Sequence, residues 1–124
     1  ATKNDISAII LTNTTNGNRD NLVSEIKKEE GGLSGEPLQQ ISTNMIKKFY
    51  KQLNGKIPII GVGGINSGKS AYEKIMAGAS LLQLYTGFVY KGPSVAKDIK
   101  KELIQILKAE GIKNIKDAVG KSVN

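Results

Sequence analysis

The 124-residue sequence contains no cysteine, histidine or tryptophan, and aromatic residues make up only 5% of it. Without cysteine there is no disulfide framework, and without cysteine or histidine there is no zinc site of the usual ligand types. A Ser-His-Asp triad and a Cys-His pair are excluded for the same reason. Any chemistry must use carboxylates, hydroxyls, lysines, backbone amides or a bound cofactor, and no metal site is expected. No apolar run approaches the roughly 20 residues of a membrane-spanning helix, and no signal peptide is visible. Arginine is nearly absent as well: Arg19 is the only one, so lysine carries almost all of the formal charge of +7. A nucleic-acid surface would favour arginines with interleaved aromatics. Here Lys97, Lys100, Lys101 and Lys108 mix with Asp98 and Glu102 in one helical pattern. A solvated helix face is the better reading and attraction to an anionic membrane or to phosphate ligands the second; no nucleic-acid partner is expected.

The composition itself is that of a globular domain, 39% hydrophobic and 23% charged, with 14 glycines. The length suits one ordinary domain. Yet Asn4-Asp5 runs straight into the apolar stretch Ile6 to Leu11 and no Met begins the chain, so the sequence reads as a piece of a longer one. Residues 6–11 read as a fully buried strand, followed by the polar run Thr12 to Asn18. Residues 21–30 are half charged and read as loop with at most a helical turn; Gly31 to Gly35 forms a second flexible segment. Pro37 opens a helix over 37–53 whose stripe is Leu38, Ile41, Met45, Phe49 and Leu53. Asn54-Gly55 closes it. Residues 57–62 form a second buried strand. A helix over 69–77, capped by Asn66 or Ser67, turns Ala71, Ile75 and Met76 inward. A third strand covers 80–84, and Pro93 opens a last helix over 93–110 with core positions Val95, Ile99, Leu103, Ile106 and Leu107. A short amphipathic tail, 112–119, follows.

Continuous apolar strands alternating with amphipathic helices mean parallel pairing through right-handed crossovers. Each strand is followed by a distinctive polar or glycine-rich loop, the pattern of a barrel whose site lies across the strand carboxyl ends. The expected fold class is α/β, about three βα units forming the C-terminal portion of a (β/α)8 barrel.

Four segments have the residue types for binding. Gly61-Val62-Gly63-Gly64-Ile65 lets backbone amides approach an anion, and the helix after it offers a positive dipole end. It lacks the GxGxxG spacing of a dinucleotide fold. Tyr85-Thr86-Gly87-Phe88 follows the third strand. If these two strands are the seventh and eighth of a barrel, Gly64 and the Tyr85 and Thr86 amides converge on one phosphate. Thr12-Asn13-Thr14-Thr15 ends the first strand with groups that donate and accept together, suited to a ligand bearing carboxylate and amide. Gly31-Gly32-Leu33-Ser34-Gly35 exposes amides and a hydroxyl beside a helix start.

Taken together, these segments resemble the C-terminal third of dihydroorotate dehydrogenase. The resemblance is carried by Thr12-Asn13-Thr14-Thr15, Gly-Gly-Leu-Ser-Gly-Glu-Pro-Leu at 31–38 and Pro58-Ile-Ile-Gly-Val-Gly-Gly-Ile65. It continues through Ala77-Gly-Ala-Ser80, Leu82-Gln-Leu-Tyr-Thr-Gly-Phe88 and Lys91-Gly-Pro93. The Thr-Asn-Thr-Thr form and the Gly-Phe-Val-Tyr-Lys-Gly-Pro stretch look like the quinone-reducing, membrane-associated class. The resemblance implies FMN as cofactor, dihydroorotate and orotate as ligands, and a quinone as electron acceptor, in pyrimidine synthesis. It places Thr12, Ser34, Gly35, Gly64, Tyr85 and Thr86 at FMN and Asn13 and Thr14 at orotate. It implies no catalytic residue here: the serine base, a flavin-contacting lysine and the quinone entrance are expected upstream. Arg19 carries no role, because the segment 16–30 departs most from the family pattern. For the full-length protein the implied location is peripheral, on the cytoplasmic face of the inner membrane, attached through the N-terminal region. The 124 residues alone are expected to be inactive and to associate with themselves or with the rest of the barrel. Two other readings remain: another FMN-dependent barrel oxidoreductase, which would not need the Thr12–Thr14 cluster, and a non-catalytic phosphate- or nucleic-acid-binding half-barrel, which would bind nucleic acid in a salt-dependent way.

Overall fold

The computed structural model describes residues 4–17 and 19–123; Asn18 of the polar run and residues 1–3 lie outside them. Three short strands, β1 (Ile9–Leu11), β2 (Ile59–Val62) and β3 (Ala79–Gln83), form one parallel sheet in the order β1-β2-β3. Four helices accompany them: α1 (Gln39–Leu53), α2 (Gly68–Met76), α3 (Thr86–Lys91) and α4 (Val95–Ala109). Single 3-10 turns lie at Glu25–Lys28, Glu36–Leu38 and Ile115–Ala118.

The first two strands begin later than the apolar runs that mark them. Pro58 explains both starts. Its carbonyl accepts from the Ile9 amide at 3.0 Å, but proline has no N–H with which to carry the ladder backwards. The pairing therefore opens at Ile9 opposite Ile59. In β3 the register slips: Ala79 pairs with Ile59 and Leu81 with Ile60, so Ser80 is an extra, bulged residue.

Burial is one-sided, which corrects the expectation of fully buried strands. Leu11, Ile59 and Ala79 pack against Ile46 and Leu53 of α1, with Ile57 and Ala77 closing this first core. On the opposite face Ile10 is 57% exposed and Leu81 62% exposed. A second core joins α2 to α4 through Ile65, Ala71, Ile75, Val95, Ile99 and Leu103, with Ala118 beneath. Leu82 touches both cores.

The expected stripe holds at Leu38, Phe49 and Leu53 and departs between Leu38 and Phe49. Ser42, Ile46 and Leu53 are buried, whereas Ile41 is exposed. Ser42 can enter because its hydroxyl donates to the Val62 carbonyl. The buried hydroxyl is thereby satisfied, while Ile41, one position earlier, faces outward. The segment after Tyr85 is a helix, α3, where the sequence pattern had shown none; it buries no residue, so it leaves no apolar stripe to read.

At the amino end of the sheet, Tyr50 of α1 is clasped by three connections. A Cβ on Gly78 would lie 2.3 Å from its Cγ, one on Gly120 2.3 Å from Cε1, and one on Gly55 3.3 Å from the hydroxyl. Only glycine lets the first two loops approach the ring so closely. The tail is bound here too, since the Gly120 and Ser122 amides donate to the Ile75 and Met76 carbonyls, both at 3.0 Å. No helix among the described residues is long and apolar enough to cross a membrane.

Candidate functional site

At the carboxyl end of the strands, four segments interlock. The Thr12 amide donates to the Val62 carbonyl at 3.3 Å, extending the β1–β2 ladder by one residue before the chain turns away. Thr15 and Leu33 then exchange two backbone bonds, at 3.1 and 2.8 Å, closing the intervening loop on itself. That bridge brings Gly31 to Gly35 beside Thr12 to Thr14. The Thr86 hydroxyl donates to the Ser34 hydroxyl at 3.0 Å, and a Cβ on Gly35 would lie 3.0 Å from Thr86 Cγ2. Asn13 is exposed and its Oδ1 accepts from the Thr14 amide at 2.7 Å, which leaves its NH2 group out of that bond.

These segments enclose a cleft of about 820 Å3. Thr12, Asn13, Thr14, Ser34, Gly35, Gly64, Tyr85 and Thr86 all line it. Every site residue expected from the sequence therefore faces one cavity, although together they span more than half the chain. Lys91, Arg19 and Lys27 supply positive charge around it, against Glu29, Glu30 and Glu36. The volume is within the range of small-molecule and cofactor sites. The donor set of hydroxyls, glycine amides and nearby cations suits a phosphate group. Among the described residues no group of three or more acids is arranged to hold a metal ion.

Contrary to the expectation, α2 does not offer its positive dipole end to the cleft. The N-terminus of α2 is already occupied: Ser67 and Ser70 form a reciprocal cap, and the Glu102 carboxylate of α4 accepts from the Gly68 amide. Its dipole is therefore met inside the protein, and the contribution of this turn to the cleft is Gly63 and Gly64 themselves. Both have positive φ, 110° and 70°. At Gly64 a Cβ would lie 2.5 Å from Gln39 Cα, so neither the conformation nor the space admits another residue.

Two residues without an expected role organise the surroundings. Arg19 donates from Nη1 to the carbonyls of Lys27, at 3.2 Å, and Glu29, and from Nη2 to that of Gly31. It thus pins the segment 19–31 that forms the outer wall. Nothing in its local pattern signals this, because its acceptors are main-chain oxygens. Lys74 of α2 is fully buried behind the Gly63-Gly64 turn. Burial pulls its amine down to about 8, with the neighbouring Glu73 carboxylate opposing part of that drop. A lysine three residues after Ala71, on the same helical face, is the signal that could have found it.

Comparison with known proteins decides the family. Residues 1–107 match the family described as Dihydroorotate dehydrogenase. The chain belongs to the dihydroorotate dehydrogenase family. Its relatives include the mitochondrial dihydroorotate dehydrogenase (quinone) of Arabidopsis thaliana, 47% identical over 116 residues, which are 93% of this chain and 25% of that protein. The dihydroorotate dehydrogenase (quinone) of Azorhizobium caulinodans is 47% identical over 118 residues, 95% of this chain and 33% of that one. The crystal structure of DHODH from Eimeria tenella in complex with ferulenol superposes with a TM-score of 0.93 at 45% identity, covering 97% of this chain and 32% of that one. The chain thus spans a quarter to a third of the length of these dihydroorotate dehydrogenases. Its fold is α/β, three consecutive βα units of a (β/α)8 barrel, and its cleft lies at the strand carboxyl ends, where barrel enzymes place their sites.

Proposed function

We propose that these residues form part of an FMN-dependent dihydroorotate dehydrogenase that oxidises (S)-dihydroorotate to orotate with a quinone as acceptor, in the de novo synthesis of pyrimidines. The observation that carries this reading is the convergence of Thr12 to Thr14, Ser34-Gly35, Gly64 and Tyr85-Thr86 on one cleft. When bound, FMN supplies the hydride acceptor; the residues of this chain bind and orient. The Gly63-Gly64 turn, Ser34 and the Tyr85-Thr86 segment surround the phosphate, with Thr12 and Gly35 also against the cofactor. Asn13, with an NH2 group not used by Thr14, and the Thr14 hydroxyl hold the carboxylate and amide edge of orotate. No residue here is assigned the base that takes the substrate C5 proton. Ser34 is engaged by Thr86 and belongs with the cofactor. The base, the quinone entrance and the peripheral attachment to the cytoplasmic face of the inner membrane are assigned to the remainder of the full-length protein. The 124 residues by themselves hold FMN weakly and do not turn over dihydroorotate.

The test is Asn13→Ala in the full-length enzyme. It should raise the dihydroorotate KM or lower kcat by more than about an order of magnitude, since it removes direct substrate hydrogen bonds. Near-unchanged steady-state kinetics reject the assignment.

A further inference from the structure

Behind the cleft lies a buried amine that the proposed reaction does not use. Lys74 has no solvent exposure. Its ammonium donates to the Gln39 carbonyl at 3.2 Å and to the Thr43 hydroxyl at 3.1 Å, and that hydroxyl itself donates to the Gln39 carbonyl at 2.8 Å. One residue earlier on α2, Glu73 accepts from the Gln39 side-chain amide at 2.8 Å. Adjacent residues of one helix thus hold the backbone and the side chain of the first residue of another.

Gln39 is also the wall behind Gly64, with its Cα 2.5 Å and its N 2.6 Å from where a Cβ on that glycine would stand. One turn further along α1, Ser42 donates to the Val62 carbonyl. Gly63 and Gly64 have no side chains with which to fix their own turn, and both have positive φ. The shape of the turn is therefore set by what stands behind it. For stability alone a lysine is a poor choice there, because burying an ammonium costs several kcal/mol that an apolar residue avoids. The Gln39 carbonyl would keep the Thr43 hydroxyl as partner without it. What the ammonium adds is direction: its bonds fix the rotation and height of α1 against α2, which an apolar contact leaves free to slide.

We propose that Lys74 is a positioning residue that, through Gln39, holds the Val62–Gly64 turn in the shape that receives the phosphate of the flavin mononucleotide. This rests on the FMN reading above. The test is to titrate FMN and riboflavin against the flavin-stripped full-length enzyme and against its Lys74→Met variant. Riboflavin has the same ring system without the phosphate, so the ratio of the two affinities isolates the phosphate site. Lys74→Met should lower the preference for FMN by about tenfold or more while riboflavin affinity stays within about twofold. An unchanged ratio, or an equal loss of both ligands, overturns the proposal. An unsubstituted enzyme with no preference for FMN overturns the phosphate reading itself, before any variant is examined. Should Lys74→Met fail to fold, Thr43→Val decides: it removes one acceptor of the amine with little change of shape. A fall of about threefold in the ratio supports the proposal and an unchanged ratio overturns it.

Discussion

The sheet has two faces built from the same three strands, and they differ sharply. Leu11, Ile59 and Ala79 meet Ile46 and Leu53 of α1 and are sealed from water, whereas Ile10 and Leu81 on the other side stand more than half exposed. Composition does not explain the difference, because neighbouring isoleucines go opposite ways. The strands are apolar on both faces because a (β/α)8 barrel covers both, with helices outside and packed side chains within. The helix-facing side is completed by these residues; the other side is complete only in a closed barrel. The first face is a source of stability for the chain as it stands, and the second is where self-association is expected.

The strongest way to break this comparison is a matched pair of charges. Ile59→Asp should unfold the chain or cost more than about 4 kcal/mol, since it buries a carboxylate in a sealed site. Leu81→Asp should cost under about 1 kcal/mol in the 124-residue chain, and ultracentrifugation should show less self-association. In the full-length protein Leu81→Asp should become as damaging as Ile59→Asp. A thermal melt in which both substitutions hurt the short chain equally removes the distinction between the faces.

Next in size is Gly64→Ala, where the two faces meet at the carboxyl edge. Strain at φ 70° and the approach of Gln39 should together cost roughly 1–3 kcal/mol and, on the proposed reading, weaken FMN binding in the full-length protein. An alanine variant with unaltered stability and flavin content would show that α1 yields easily.

Lys74 gives a pH dependence of known sign. Its amine is held at about 8 in the fold against an ordinary 10.5, so the unfolded chain binds the proton more tightly. Stability should therefore rise as pH increases from about 8 towards 10, by on the order of 2 kcal/mol, and level off above the unfolded value. The other groups at the amine are Glu73 on its own helix and the uncharged Gln39 and Thr43 of α1. Lys74→Met should flatten this part of the profile in denaturant titrations; a slope that survives it belongs to another group.

The smallest effect is expected outside the sheet. Arg19→Ala should leave the melting temperature within about 2 °C, because the segment it pins buries little. It should nevertheless speed cleavage at Glu25, Glu29 and Glu30 by a glutamate-specific protease. Unchanged cleavage would mean that the Thr15–Leu33 bridge alone holds the loop.

The elements that could be read from the sequence are those whose cause is periodic. The stripes of α1 and α4 and the apolar strands stand out because burial repeats at fixed spacing. α3 could not be read that way, since it buries nothing, and Ile41 misled because Ser42 finds a carbonyl partner at Val62. The cleft-lining segments were legible as glycine and hydroxyl clusters after strands. Arg19 was not, because its acceptors are main-chain oxygens that only the folded chain brings near; the spacing of Lys74 from Ala71 marks a buried face, but not the partners on α1 that hold it there. One-sided burial was also hidden: residue type records that a face is meant to be covered, not which part of the protein covers it.

Tyr50 sits at the end of the sheet opposite the cleft, and its ring is held by loops that are far apart in the chain. A single aromatic thereby ties together the connections that enter β2 and β3 and the tail that leaves α4. The loops at the carboxyl end are tied differently, by main-chain and hydroxyl bonds such as Thr15 to Leu33 and Thr86 to Ser34. The amino end is thus fixed by packing around one ring, and the carboxyl end by hydrogen bonds around an open space.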